Sequence, residues 1–192
     1  MSEKITNILL VGVGGQGILL ASEILAETFM LAGFDVKKSE IHGMSQRGGS
    51  VVSHVRFGRE VCSPTVPQGE GDILLGFELL EAYRYLSLLR PGAEVVVNDY
   101  RIAPPAVLLG QAAYPDDIPA RMRACFPDFL LVDGLHLAQQ AGDVRAANTV
   151  LLGAVSQRLP IEEPLWLQAV QNMVPKKALE VNLAAFALGR AL

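Results

Sequence analysis

Residues 5–17, ITNILLVGVGGQG, decide the fold, because a short apolar run passes there directly into a glycine-rich turn. Residues 5–11 have the composition of a buried strand. Residues 18–32 carry apolar side chains at helical spacing, and Gly33 follows as a helix terminator. A glycine loop between a strand and a helix lets the backbone turn tightly and leaves N–H groups free at the helix N-terminus. This stretch therefore predicts the opening of an α/β domain.

Strands and helices continue to alternate after this opening. Residues 34–41 form the next predicted strand, and a βαβ opening would make the first two strands parallel with a right-handed crossover. Further strands are predicted over 51–57, 72–77, 94–98 and 129–132, and helices over 78–89, 119–126 and from 135 onward, with breaks at Gly142, Pro160 and Pro175. The pattern indicates one Rossmann-like α/β domain over residues 1–192, with a mainly parallel sheet, helices on both faces and a helical C-terminal part.

The composition sets limits on function. Apolar residues make up 51% of the 192 residues and charged residues 19%, which is typical of a globular domain. The mean hydropathy of +0.32 fits either a surface that expects a partner or a core-rich single domain. The net charge of −4 argues against nucleic-acid binding. No apolar run is long enough to cross a bilayer, and residues 1–17 do not form a signal peptide, so a cytoplasmic location is expected.

Cysteine and histidine spacing gives no metal site. Cys62 and Cys125 are isolated, so they cannot hold a four-cysteine iron–sulfur cluster or a structural zinc, and both are expected to be reduced, partly buried thiols. The remaining candidates are expected to be structural or surface groups (His54, Arg56, His136) or core side chains (Trp166, Phe186).

The glycine loop is the first candidate for ligand contact, since its free N–H groups and the helix dipole favour phosphate. Its candidate residues are Gly12, Gly14, Gly15, Gln16 and Gly17. In a dinucleotide site, Glu40 near the end of the second strand would bind the ribose, although Lys37 and Lys38 lie close by. The other interpretation is that the glycines only permit close packing of strand and helix.

A second candidate is the loop over residues 42–50, HGMSQRGGS, which follows the second strand at the edge where open α/β sheets bind ligands. Arg47 with two following glycines suits a phosphate or a carboxylate, and His42 suits proton transfer. The contact candidates here are Glu40, His42, Ser45, Gln46, Arg47, Gly48 and Gly49. The alternative is a solvated surface loop. No residue of the chain is predicted to be catalytic, because Ser45 and Ser50 have no companion base.

Together these stretches resemble the gamma-domain family of pyruvate and 2-oxoacid:ferredoxin oxidoreductases, above all the small (beta) subunits of the indolepyruvate enzymes. The likeness runs along the whole chain and is weakest over 103–126. The residues that carry it are 12–17 with 20–22, 38–40, 42–50, 53–56, 63–64, 77–78, Asn148, 151–154, 180–182 and 185–186. The block HGMSQRGG over 42–49 is its most specific part.

The resemblance implies a division of labour. Such complexes decarboxylate a 2-oxoacid on thiamine diphosphate with Mg²⁺, pass electrons through iron–sulfur clusters to ferredoxin and form an acyl-CoA. This chain has neither the cysteine sets nor the GDG-to-Asn pattern of a thiamine site, so the resemblance implies a large partner subunit that carries both. The chain alone is then expected to bind no cofactor and to be inactive. Indolepyruvate is the expected substrate. If the chain contacts CoA, the phosphate-binding chemistry of the glycine loop and the Arg47 loop, rather than the resemblance, makes these loops the expected places.

Two other functions stay open at this point. One is a stand-alone NAD(P)-dependent Rossmann dehydrogenase, which would need a second substrate domain and a proton-transfer pair that the sequence does not show. The other is a non-catalytic module that binds phosphate or a nucleotide with the same loop. Two apolar stripes on residues 178–192 fit burial within the domain or against another chain, and the isolated chain is a plausible homodimer.

Overall fold

A computed structural model describes residues 5–42 and 48–192. Its strands form one sheet in the order β2-β3-β1-β4-β5-β6. The strands are β1 (Thr6–Val13), β2 (Asp35–His42), β3 (Ser50–Gly58), β4 (Gly71–Gly76), β5 (Leu89–Asn98) and β6 (Leu130–Val132). β1, β4, β5 and β6 pair in parallel, whereas β3 is antiparallel to both of its neighbours. The predicted mainly parallel sheet is confirmed.

Helices cover both faces of this sheet. They are α1 (Ile18–Leu31), α2 (Leu79–Arg84), α3 (Pro105–Leu108), α4 (Ile118–Cys125), α5 (Gly134–Ala141), α6 (Ala147–Ser156), α7 (Glu163–Met173) and α8 (Leu179–Arg190). Short 3₁₀ turns over Leu86–Leu88, Val144–Ala146 and Lys176–Ala178 precede β5, α6 and α8. The predicted helical C-terminal part is confirmed. Among the helices of the described ranges, none is both long and apolar enough to cross a membrane.

The opening of the sheet differs from the predicted βαβ unit. β1 and β2 run in the same direction, as expected, but β3 lies between them and pairs with each along its length. β3 is buried on both faces, so it needs an interior position. β2 carries Lys37, Lys38 and Glu40, and such charged side chains suit the edge of a sheet. The burial of β3 therefore explains why the second strand is not the neighbour of the first.

The predicted helix over 78–89 is also shorter than expected. α2 ends at Arg84, and β5 begins at Leu89, so the sequence Arg90-Pro91-Gly92 lies inside the strand rather than after a helix. The register between β4 and β5 shifts opposite Gly71 and Ile73, and Gly92 has a φ of 71°. These turn-forming residues thus mark an irregular strand start.

The core has two layers, one on each face of the sheet. In β1, Ile8 and Leu10 face the layer of α1, α5, α6, α7 and α8, while Leu9 and Val11 face the layer of α2 and α4. Trp166 is fully buried in the larger layer, and so is Phe186, with ring centroids 5.9 Å apart. Both are core side chains, as predicted.

Both apolar stripes over residues 178–192 have a member buried within the domain. Phe186 of one stripe and Ala185 of the other are fully buried where α8 packs along α6, whereas Leu192, at the end of the second stripe, is exposed. The cysteines correct an expectation: Cys62 and Cys125 are both exposed. They lie in a loop after β3 and at the end of α4, away from the apolar periodicity that buries a side chain.

Candidate functional site

A cleft of about 570 Å³ opens at the carboxyl ends of β1, β4 and β5. In parallel sheets these ends are where ligands bind, because the loops that follow neighbouring strands diverge there. The lining residues are Gly14, Gly15, Gln16, Gly17, Leu20, Phe77, Asn98, Tyr100, Ile102, Leu135, Val144, Arg145, Ala147, Asn148 and Leu151. The cleft therefore combines the glycine loop with residues from much later in the chain.

Gln16 fixes the shape of the glycine loop. Its Oε1 accepts a hydrogen bond from the Val13 N–H at 2.7 Å, and its Nε2 donates to the Phe77 carbonyl at 2.8 Å. A Cβ atom on Gly12 would lie 2.6 Å from that Oε1 and 2.8 Å from the Cβ of Phe77. Gly12 thus leaves the space through which Gln16 ties the end of β1 to the end of β4.

The N-terminus of α1 opens on the cleft. Gly17 is its N-cap, with a φ of 77° and no side-chain cap, and Gly15 also has a positive φ of 107°. Asn148 of α6 donates from Nδ2 to the Gly17 carbonyl at 3.3 Å, and a Cβ on Gly17 would lie 2.7 Å from that nitrogen. Because the helix dipole leaves partial positive charge at this end, the geometry suits an anionic group.

Two asparagines make the polar wall of the cleft rigid. Asn98, at the end of β5, donates to the Phe77 carbonyl at 3.4 Å and accepts from the Gly134 N–H at 3.0 Å. It thereby joins β4, β5 and the start of α5. Asn148 is held by hydrogen bonds of its own, since its Oδ1 accepts from the Thr149 N–H at 2.9 Å.

Arg145 lies at the mouth of the cleft, with 87% of its side chain exposed. Its guanidinium donates to Asp143 Oδ2 at 2.6 Å and holds the pKa of Asp143 at about 2. The carboxylate in turn raises the pKa of Arg145. A groove of about 400 Å³ shares Leu20, Arg145 and Asn148 with the cleft and continues to Lys177. An anion that enters here meets cationic groups beside the α1 N-terminus.

A second cavity of about 300 Å³ lies on the other side of the glycine loop. Gly14 donates to the Gly49 carbonyl at 2.9 Å, and Gly48 donates to the Gly14 carbonyl at 3.4 Å, so the two glycine segments are adjacent. Ser50 Oγ donates to Oε2 of the buried Glu81 at 2.6 Å. The lining of this cavity combines the polar side chains of Ser50, Glu81 and Arg84 with Ile102 and two prolines.

Glu78 supports the wall between the two cavities. It is buried and accepts hydrogen bonds from the Glu81 N–H at 2.8 Å, the Ile102 N–H at 3.1 Å and the Tyr114 hydroxyl at 2.6 Å. Burial, followed by the bond to Glu78, raises the pKa of Tyr114 well above its ordinary value. The carboxylate thus holds both the start of α2 and the chain after β5.

The structure brings together part of the predicted site. Gly14, Gly15, Gln16 and Gly17 line the cleft, and Gly48 and Gly49 lie beside them. Glu40 does not line the cleft: it pairs with Lys38 at 2.7 Å on the edge strand. The side chain of His42, and all of Ser45, Gln46 and Arg47, lie outside the part that the structure describes.

Sequence reasoning did not propose Asn98, Tyr100, Arg145 or Glu78 as site residues. A signal existed for two of them, because Glu78 and Asn98 are polar residues that follow buried strands at the binding edge. No local signal marks Arg145, which reaches the cleft only through the packing of α6 on α1. Asn148 lies 131 residues from its partner Gly17.

The buried histidine and arginine of β3 are structural, as predicted. His54 Nδ1 accepts a hydrogen bond from the Val66 N–H at 3.1 Å. Arg56 donates to Asn7 Oδ1 at 2.7 Å and to the Ser63 carbonyl at 2.8 Å. His136 contacts Gln140 on the surface. Within residues 5–42 and 48–192, no three His, Cys, Asp or Glu side chains come together as a metal site would require.

The fold and the cleft define a Rossmann-like domain whose glycine loop suits an anionic group. Comparison with known proteins identifies its family. The family model described as pyruvate ferredoxin/flavodoxin oxidoreductase matches residues 7–192. The chain belongs to this family. It is 42% identical over 188 residues to the indolepyruvate oxidoreductase subunit IorB of Thermococcus kodakarensis. The alignment covers 95% of this chain and 93% of the relative.

Solved structures agree with the fold. The gamma subunit of a keto/oxoacid ferredoxin oxidoreductase from Geobacter sulfurreducens is similar with a TM-score of 0.71 and 24% identity, over 96% of this chain and 95% of that one. A 2-oxoglutarate:ferredoxin oxidoreductase from Magnetococcus marinus is similar with a TM-score of 0.72 and 23% identity, over 99% of this chain but 31% of that one. The same fold thus also occurs as about a third of a longer polypeptide.

These relatives confirm the family and the fold that the sequence predicted, and with them an oxidoreductase subunit. They do not support a stand-alone NAD(P)-dependent dehydrogenase or a non-catalytic nucleotide-binding module. The position of β3 argues against the dehydrogenase independently, because Glu40 is kept one strand away from β1.

Proposed function

We propose that this chain is the small (beta) subunit of an indolepyruvate:ferredoxin oxidoreductase and that its cleft helps to bind coenzyme A. The observation that carries this proposal is the 42% identity with the Thermococcus kodakarensis subunit along nearly the whole of both chains. Oxidative decarboxylation of the aryl-pyruvate would yield an acyl-CoA, CO₂ and reduced ferredoxin.

The cofactors of the reaction are assigned to a large partner subunit. Thiamine diphosphate with Mg²⁺ would supply the decarboxylation chemistry there, and iron–sulfur clusters would carry electrons to ferredoxin. A cluster of the four-cysteine type needs more thiolates than the two that this chain contains. The small subunit then contributes binding and orientation rather than a reacting group.

The shape and chemistry of the cleft support the CoA assignment. CoA combines phosphate groups with a long uncharged arm that has both amide and apolar segments. Gly15, Gly17 and the start of α1 suit a phosphate, and Arg145 adds a guanidinium at the mouth. Leu135 and Ile102 add apolar side chains to the lining. The cytoplasmic location, a homodimer of the isolated chain and the contacts of Arg47 stay predictions.

Reconstitution tests the function directly. The chain and the large subunit encoded with it would be combined and assayed for ferredoxin reduction with CoA on indolepyruvate, 2-oxoglutarate and pyruvate. We expect the highest kcat/KM with indolepyruvate, and no acyl-CoA from this chain alone. Higher kcat/KM with either of the other two acids would contradict the substrate, and acyl-CoA formation by the isolated chain would contradict the division of labour.

Arg145 gives a sharper test of CoA binding. Arg145→Ala removes an exposed guanidinium at the cleft mouth, so the fold should be kept. The KM for CoA of the reconstituted complex should rise about tenfold, because a charged hydrogen bond is worth about 1.5–3 kcal/mol. The KM for the oxoacid should not change.

The matched control is Arg59→Ala, an exposed arginine just beyond the end of the antiparallel β3 and so at the opposite edge of the sheet. This variant should keep the wild-type KM for CoA. An equal effect of both substitutions, or a change in the oxoacid KM alone, would remove the CoA assignment and leave the family membership in place.

A further inference from the structure

The exposed large apolar side chains of this chain are not spread evenly over its surface. Eight are present among the described residues, and six of them lie toward the carboxyl edge of the sheet, where two of them, Tyr100 and Val144, line the cleft. We call these six the apolar rim: Leu19, Ile41, Tyr100, Leu108, Leu109 and Val144. Single exposed apolar residues are ordinary, but a concentration on one edge marks an interaction surface.

The topology places the rim residues on one side of the molecule. Ile41 pairs with Val52, which also pairs with Val11, so Ile41 is level with the end of β1. Leu19 is in the first turn of α1, directly after the glycine loop. Tyr100 follows the end of β5 by two residues and lines the cleft.

The other rim residues border the same openings. Val144 lines the main cleft beside the glycine loop. Leu108 and Leu109 are 74% and 71% exposed, and they lie in the segment whose Pro104 and Pro105 line the second cavity. Met30, by contrast, is 54% exposed near the C-terminal end of α1, at the opposite edge.

The arginines on this edge pair with acids of the same chain. Arg145 keeps exposed N–H donors for a small anion at the cleft mouth, but the edge offers little net positive charge to a large acidic partner. Arg84 pairs with Glu81, Arg101 pairs with Asp116 at 3.3 Å, and Arg145 pairs with Asp143. These arginines are therefore partly neutralised within the chain, which disfavours an anionic membrane or a strongly acidic partner. What the edge presents to a partner is mainly apolar surface around a cleft.

We infer that the apolar rim is the surface on which the large subunit docks, so that the cleft opens toward that subunit. This inference rests on the proposed function, since it needs a large partner subunit to exist. The occurrence of the same fold as about a third of a longer polypeptide supports it, because such a unit must pack against the remainder of its chain. An apolar surface of the large subunit is the single occupant that we assign to this rim.

The test is a binding measurement between the separately purified wild-type or variant chain and the large subunit. L108E/L109E puts two carboxylates into the rim at highly exposed positions, where the fold should tolerate them. Its Kd should be at least about tenfold weaker than that of the wild type. The control is Met30→Glu, which puts a carboxylate at an exposed apolar position on the opposite edge. It should bind like the wild type.

The outcomes separate this inference from the proposed function. If the wild-type chain does not bind the large subunit, both are overturned. If it binds and restores activity but L108E/L109E binds equally well, or Met30→Glu weakens binding as much, only the docking surface is wrong. Light scattering of the isolated chain tests a further outcome. If the chain is a dimer that L108E/L109E dissociates, while binding to the large subunit is unchanged, a second copy of the chain occupies the rim and the inference is overturned.

Salt dependence checks the apolar character of the contact. Because the arginines of this edge are paired within the chain, the Kd for the large subunit should change by less than about threefold between about 50 and 500 mM NaCl. A steep loss of affinity over this range would mean that ionic contacts dominate and would overturn the apolar docking surface.

Discussion

The carboxamide of Gln16 and the carboxylate of Glu78 support the cleft by binding backbone groups that strands and helices leave unpaired. Gln16 joins the ends of β1 and β4, and Glu78 holds the N–H groups of Glu81 and Ile102. Losing a partner of a buried polar group costs about 1–3 kcal/mol. The shape of the cleft therefore depends on a few side chains that need not touch a ligand themselves.

These roles limit what sequence alone could predict for single residues. The motif predicted Gln16 as a site residue, and the structure places it in the lining of the cleft, because its place in the glycine loop is fixed locally. Its partner Phe77 is 61 residues away, so the sequence did not indicate that both ends of the amide are used within the fold. Arg145 had no local pattern at all, and only the packing of the helices brings it to the cleft.

His54 predicts a pH dependence of stability. Burial, and then the charge of Arg56, lowers the pKa of His54 below its ordinary value of 6.5, and its Nδ1 accepts from the Val66 N–H, which requires a neutral ring. The unfolded chain takes up a proton near pH 6.5, whereas the folded chain does so only at lower pH. The contribution of neutral His54 to the free energy of unfolding should therefore be fully present above about pH 6.5 and decrease as the pH falls below it.

NMR titration of His54 should give a midpoint below 6.5, and chemical denaturation should show a loss of unfolding free energy between about pH 7 and pH 5.5. His54→Asn keeps an acceptor for Val66 at the position of Nδ1 without a titrating ring, so its stability should fall less over this interval. A midpoint at or above 6.5 in the wild type would refute the assignment.

At the scale of elements, α6 and α8 cross at two glycines that leave no space between the backbones. A Cβ on Gly189 would lie 1.9 Å from the Val150 carbonyl oxygen, and one on Gly153 would lie 2.2 Å from the Phe186 carbonyl oxygen. The breaks at Gly142, Pro160 and Pro175 located both helices well. Local signals of this kind did not place β3, because strand order is decided by which strand can be buried on both faces.

Gly189→Ala should destabilise the chain strongly for this reason. The methyl group would clash with backbone rather than with a movable side chain, so the helices must separate, at a cost of about 3 kcal/mol or more in unfolding free energy. Ala187→Ser, at an exposed position of the same helix, should change stability by less than about 0.5 kcal/mol. Chemical denaturation of both variants measures this, and a small effect of Gly189→Ala would mean that the helices do not pack so closely.

At the scale of the whole molecule, the alternation of strands and helices was enough to predict a mainly parallel α/β sheet with a cleft at its carboxyl edge. It was not enough to predict strand order. The glycine loop and the acidic end of the second strand have the spacing of a dinucleotide site, yet the insertion of β3 between β1 and β2 separates Glu40 from the loop. Local motif and overall topology thus point to different ligands, and topology decides, because a ribose-binding acid must lie beside the first strand.

This topology predicts that the chain does not bind nicotinamide dinucleotides. Glu40 is engaged with Lys38 on the edge strand, so no acid of β2 is available to the ribose beside Gly15 and Gly17. Titration with NADH or NADPH, followed by nucleotide fluorescence, should give no saturation and a Kd above about 1 mM, which corresponds to a binding free energy weaker than about −4 kcal/mol. Glu40→Ala should behave like the wild type, because the side chain has no part in the cleft. Saturable micromolar binding that is lost in Glu40→Ala would contradict this prediction. It would show that the glycine loop and Glu40 form a dinucleotide site despite the strand order.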